Sequence, residues 1–205
     1  MRLDKTKKIY TYWNNLRGNR LAPDRKEIEP SDIREILGDT FILETNTNYK
    51  TICFRLAGTR LCNAYGRELK GLGFLALWSE EDNLEVLNSV RKVQNAFTPC
   101  TISCLAETSS NRSVEYEMIL LPLQNQDVSA KRVLGVAAPL ESETWIGSDP
   151  IINNRVKKIR FLDVEQAPST FGHSFADPGT KYWTPPESGP KQVGHLTVFD
   201  GGLAD

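Results

Sequence analysis

The chain has 205 residues, with 25 Lys and Arg against 26 Asp and Glu and a formal net charge of -1. That balance gives no global field to draw it onto nucleic acid or an anionic membrane, and the length suits one domain with extensions. No apolar run approaches the roughly 18 residues of a membrane span, and the charged start lacks the apolar core of a secretory signal, so a cytoplasmic protein is expected. The four cysteines, Cys53, Cys62, Cys100 and Cys104, lie in apolar segments, as reduced thiols do in that compartment.

The first predicted element is an amphipathic helix over DKTKKIYTYWNNLRGN. Ile9, Trp13 and Leu16 recur at i, i+4 and i+7, Asp4 is placed to cap the start, and Gly18 to stop it. Pro23 and Pro30 then bracket an extended connection, and Ser31 or Asp32 opens a short helix expected to bury Ile33, Ile36 and Leu37. FILETNTNYKTICFRLAG reads as a hairpin. Its second strand is expected to put Ile52, Phe54 and Leu56 on one face, with Cys53, Arg55 and Ala57 on the other.

After Gly58 the period changes. Leu61, Tyr65 and Leu69 fit a helical stripe, but Gly58, Gly66, Gly71 and Gly73 interrupt it, which predicts short helical turns. SEEDNLEVLNSVRKVQNAF is the clearest long helix, with a Ser79/Asp82 capping box, Leu84, Leu87, Val90 and Val93 along one side, and Pro99 closing it. Three strand-like runs follow at 100–107, 113–122 and 132–140. In the middle run Val114, Tyr116, Met118 and Leu120 define an inner face. The outer face carries Glu115 and Glu117 but also Ile119 and Leu121, so something must cover the back of the sheet. The Ile9, Trp13 and Leu16 stripe is one candidate cover and a second subunit the other. From Asp163 the composition turns rich in Pro, Gly and Ser, and the chain ends in a strand-like tag, VGHLTVFDGG.

Three motifs, TYWNNLRG, PDRKEIEPSDIREILGD and FRLAGTRLCNAYGRELKGLGFLALW, together resemble a family of short, stand-alone bacterial PAS-like proteins over roughly residues 9–145. The third is the most specific, with Arg55, Gly58, Thr59, Gly66, Glu68 and Trp78 at fixed spacings. The resemblance implies an α+β fold: a five-stranded antiparallel sheet with short helices, one long helix and the N-terminal amphipathic helix. The expected organisation is a helical cap at 1–38, the PAS-like domain at 39–146 and a C-terminal extension at 147–205. The family implies a sensory or regulatory role without catalysis, in control of bacterial cell cycle, motility or stress responses.

The residue pattern offers no reactive set either. Both histidines, His173 and His195, lie in the tail, away from any body that could hold a catalytic set or a haem. CNAYG lacks the cysteine motif of flavin photoreceptor domains, so haem and flavin are both disfavoured and no cofactor is expected. No zinc-type cysteine pairs occur, and no metal is expected; redox sensing by Cys62 beside Arg60 is the alternative reading of that cysteine. The expected site is an apolar pocket between sheet and helices, lined by Phe54, Leu56, Tyr65, Phe74, Trp78, Met118 and Leu120, with Arg60 and Asn63 to fix a polar group. The expected cap or dimer interface comprises Ile9, Trp13, Leu16, Ile119 and Leu121. A homodimer, an unidentified signalling partner and a small apolar ligand are the expected associations, with no nucleic acid. The alternative is a pure interaction module with a filled core, and an enzyme of unknown reaction is a distant third.

Overall fold

A computed structural model describes residues 1–46, 51–124 and 130–164, together with the backbone of two short strands, β7 (Lys191–Val193) and β8 (Leu196–Val198). The chain divides into two compact units, Met1–Pro168 and Ser169–Asp205. The second contains β7 paired antiparallel with β8; the pair starts two residues before the expected tag, whose Phe199 lies outside the described residues, as do His173 and His195.

In the first unit, helix α1 (Asp4–Arg17) leads through 3-10 turns to strands β1 (Thr40–Asn46) and β2 (Thr51–Ala57). Helix α2 (Thr59–Ala64), a 3-10 turn at Phe74–Leu77 and helix α3 (Asn83–Ala96) follow. Strands β3 (Cys100–Thr108), β4 (Ser113–Leu123), β5 (Ala130–Pro139) and β6 (Ile151–Phe161) complete the sheet. Its order is β2-β1-β5-β4-β3-β6, and every pairing is antiparallel.

The sheet is therefore six-stranded, where five were expected, and the expected boundary at 147 falls just before a strand that belongs to it. β6 escaped notice because its inward residues are Ile151, Asn154, Val156, Ile159 and Phe161, at intervals of three, two, three and two. Register shifts opposite Ser103/Cys104 and Glu107/Thr108 produce that spacing and erase the period of two that marks a strand.

Two apolar clusters lie on opposite faces of the sheet. On the front, Phe41, Leu43, Phe54, Val114, Tyr116, Met118 and Leu120 meet α2, the Phe74–Leu77 turn and α3. On the back, Ile42, Ile119, Leu121, Leu134 and Val136 meet Ile9 and Trp13 of α1, both fully buried, with Leu16 packed at the margin. The helix thus covers the back of its own sheet, and its apolar stripe is satisfied without a second copy.

Three details differ from expectation. The α3 stripe runs through Val86, Val90 and Val93, while Leu84 is 67% exposed, because it lies about 200° round the helix from Val86. Phe97, in the left-handed region at φ 50°, already ends that helix before Pro99. The segment before β1 forms 3-10 turns that bury Ile33 and Ile36 and leave Leu37 exposed.

Candidate functional site

The front cluster is built from rings in mutual contact. Phe41, Phe54 and Phe74 have centroids 5.5 to 6.2 Å apart, and Trp78 lies 5.8 Å from Phe74. Edge-to-face arrangements predominate, as expected for packed aromatic cores. Phe54, Tyr65, Phe74, Trp78, Met118 and Leu120 are all buried here and belong to this one cluster.

Leu56 does not join them. It is 43% exposed, because a bulge in the β1/β2 pairing sets Leu43 opposite Phe54 and Ile42 opposite Leu56, leaving Arg55 without a partner residue. The extra residue rotates Leu56 to the back face, since a one-residue slip inverts every side chain beyond it.

Arg60 and Asn63 sit elsewhere, on α2, along a cleft of about 380 Å³ at the end of the sheet. Lys5 of α1, Asp39 just before β1, Tyr116 of β4 and the loop after β5 supply its other polar walls, including Ser142 and Glu143. Leu61, Ala64, Ala137, Pro139 and Ile146 give it an apolar side.

Asp39 is the organising residue. It is 4% exposed, and its Oδ2 faces Lys5 Nζ at 2.8 Å, Arg60 Nε at 3.0 Å and Arg60 Nη2 at 2.7 Å. The two donors from one guanidinium give a fixed geometry, and Arg60 Nη2 also donates to the Glu35 carbonyl at 2.8 Å. Hydrogen bonding to Asp39 raises the Arg60 pKa further above its already high value. Gly38 permits this crossing: a Cβ there would stand 3.0 Å from Arg60 Cζ.

Tyr116 is 3% exposed, and burial, followed by the negative charge of Asp39, pushes its hydroxyl above the ordinary tyrosine range. It is neutral at any physiological pH. Tyr65 differs: its hydroxyl donates to Asn154 Oδ1 at 3.1 Å, while Asn154 Nδ2 donates to the Leu77 carbonyl at 2.6 Å, tying α2 and the following turn to β6.

The cysteines form no electropositive site. Burial pushes the Cys100 and Cys104 thiols up to about 12. Cys62 is also raised, first by burial and then by Glu68, with the backbone of Leu69 pulling the other way; its sulfur faces Glu68 Oε1 at 3.6 Å. Arg60, engaged with Asp39, does not activate it. Sequence reasoning passed over Lys5, Asp39 and Tyr116 as site residues. Tyr116 carried the one available signal, a hydroxyl in an otherwise apolar inward face.

Residues 1–138 match the family model of the PAS domain. The chain belongs to the PAS domain family. The α+β architecture of this PAS domain, an antiparallel sheet under short helices, is the one its sequence motifs implied. A comparison with curated proteins gives no match. Among solved structures, a light-oxygen-voltage domain studied with a flavin analogue is 14% identical over 58% of this chain and 90% of its own, with a TM-score of 0.41. The PAS domain of an HTR-like protein from Haloarcula marismortui is 19% identical over 53% and 90%, with a TM-score of 0.35. A LOV protein of Rhodobacter sphaeroides is 10% identical over 57% and 71%, with a TM-score of 0.41. The fold is that of a sensory or regulatory kind of domain, and no helix among the described residues is long and apolar enough to cross a membrane.

Proposed function

We propose that this PAS domain is a non-catalytic regulator of bacterial signalling, in the cytoplasm, that works by recognition and uses the docking of α1 as its output. The Asp39 carboxylate carries this proposal. One buried oxygen holds Lys5 of the cap helix and Arg60 of α2, so an event that repositions Arg60 alters the anchoring of α1. A charge that loses one of its two partners in a buried setting favours a different arrangement of the other, which is how a small local change biases a two-state element.

Release of α1 would expose Ile119, Leu121, Leu134 and Val136, an apolar surface suited to a signalling partner or a second copy of the chain. The packed rings on the front face favour an interaction module over a sensor with a large apolar ligand inside, and no flavin or haem forms part of the proposal. The proposed setting is control of cell cycle, motility or stress, in line with the motif resemblance.

Hydrogen exchange of the α1 amides tests the coupling. Asp39→Asn and Arg60→Gln are both expected to speed exchange in α1 by about tenfold, through loss of a charge-assisted contact. Arg60 has its hydrogen bonds and ion pair with Asp39 and the Glu35 carbonyl and none with α1 among the described residues, so an unchanged α1 in Arg60→Gln rejects transmission through Asp39.

A further inference from the structure

The cleft beside Asp39 contains two polar atoms that the protein leaves open. The Tyr116 ring is buried, but its hydroxyl makes no hydrogen bond among the described residues and is not one of the buried unpartnered atoms, so it is open to the cleft; Asp39 Oδ1 likewise receives no donor, since every donor to that carboxylate engages Oδ2. A donor and an acceptor held at the wall of a cleft, each without a protein partner, are free to bond a ligand there.

The charges around the opening cancel, with Lys5 and Arg60 against Asp39 and Glu143. An anion there meets two carboxylates and a cation meets two basic groups, so a neutral ligand is favoured over either. Tyr116 offers a donor and Asp39 Oδ1 an acceptor, while Leu61, Ala64 and Ile146 offer an apolar wall. We infer that the cleft binds a small uncharged molecule bearing a carboxamide or lactam group, whose oxygen accepts from Tyr116 and whose N–H donates to Asp39, with a compact apolar body against α2. The volume of about 380 Å³ is in the lower part of the range for ligand pockets, about 300–1,000 Å³. This deepens the proposed function, since a ligand on Asp39 acts on the residue that anchors α1.

Benzamide, benzoate and benzylamine, which share a ring and differ in charge, are suitable probes in an NMR titration of the full chain. Benzamide is expected to shift the resonances of residues 60–64 and 137–147 with a dissociation constant on the order of a millimolar. Benzoate and benzylamine are expected to bind at least about tenfold more weakly, because each places a charge against like charges. Tyr116→Phe removes a hydroxyl with no protein partner, so it keeps the fold and weakens benzamide by about fivefold. Ser142→Trp, at an exposed rim position, should block the cleft without disturbing the core. Absence of benzamide binding, binding elsewhere, equal affinity for benzoate, or indifference to both substitutions overturns the site. Exchange of the α1 amides with benzamide present separates the two ideas: binding without a change in α1 leaves the site standing and removes its link to the output.

Discussion

Glu117 on β4 accepts a hydrogen bond of 3.0 Å from the backbone N–H of Leu3, 114 residues away, at the first turn of α1. The same carboxylate accepts from the Arg2 N–H at 2.9 and 2.7 Å and from Thr6 Oγ1 at 2.5 Å. Asp4, expected from the sequence to cap this helix, instead pairs with Lys7 on the surface. The negative end required by the exposed N–H groups and the helix dipole comes from the sheet, which fixes the helix start to β4.

Burial works to raise the Glu117 pKa, but the Leu3 N–H, the Thr6 hydroxyl and the Arg2 N–H outweigh it and hold the carboxyl below its ordinary value. A group depressed in the folded state contributes stability that is complete above its unfolded pKa, about 4.3, and is lost as pH falls through the lower folded value. Glu117→Gln should therefore lower stability by about 1–3 kcal/mol near neutral pH, with the difference from wild type narrowing below about pH 4.5. Chemical denaturation of both proteins across pH 3 to 8 checks it; a difference that stays constant into acid rejects the role.

Trp13 is the apolar counterpart of that anchor. It is fully buried, its Nε1 donates to the Pro122 carbonyl at 2.8 Å, and the Arg17 guanidinium carbon lies 5.5 Å from its ring. Trp13→Ala should cost about 3–5 kcal/mol and open a cavity on the back of the sheet. Trp13→Phe, which keeps most of the packing and loses the hydrogen bond, should cost much less. Thermal unfolding of the two variants gives the order; equal losses would mean that the ring itself contributes little.

Much of this architecture was legible in the sequence, and the failures have physical causes. The alternation of β4 separated Tyr116 and Met118 from Ile119 and Leu121, and the spacing of Ile9 and Trp13 supplied the cover for that back face. What escaped was long-range or irregular. The anchoring of Lys5 and Arg60 by Asp39 joins three segments with no shared periodicity, and the bulges opposite β6 and within the β1/β2 pair break the very period by which strands are recognised. The aromatic residues expected to line a pocket lie together in the front cluster, and a sequence pattern of apolar residues reads the same whether rings line a space or fill it.

Gly58 within the FRLAGTR motif has an ordinary φ of -73°, so its requirement is not conformational freedom. A Cβ there would stand 2.3 Å from the Leu37 carbonyl oxygen and 2.4 Å from that of Gly38, where the turn before β1 crosses the start of α2. Backbone atoms cannot rotate away as a side chain can. Gly58→Ala should thus cost about 1–3 kcal/mol or more and loosen the Asp39–Arg60 contact, whereas Gly73→Ala, with nothing within 4 Å, should be within about 0.5 kcal/mol of wild type. Equal melting temperatures for the two variants would show that the crossing is not tightly packed.

The bulge in β2 makes a sharper test of the sheet, because it assigns opposite environments to two apolar residues that simple alternation places side by side. Phe54 is 2% exposed and touches the rings of Phe41 and Phe74, whereas Leu56 is 43% exposed and pairs with Ile42 on the other face. Phe54→Ala is expected to cost about 3–5 kcal/mol, as for other buried aromatic residues. Leu56→Ala is expected to change stability by no more than about 0.5 kcal/mol, as at most surface positions. Urea midpoints with unchanged slopes measure both, and a large loss at Leu56 would return β2 to unbroken alternation and place that side chain inside the front cluster.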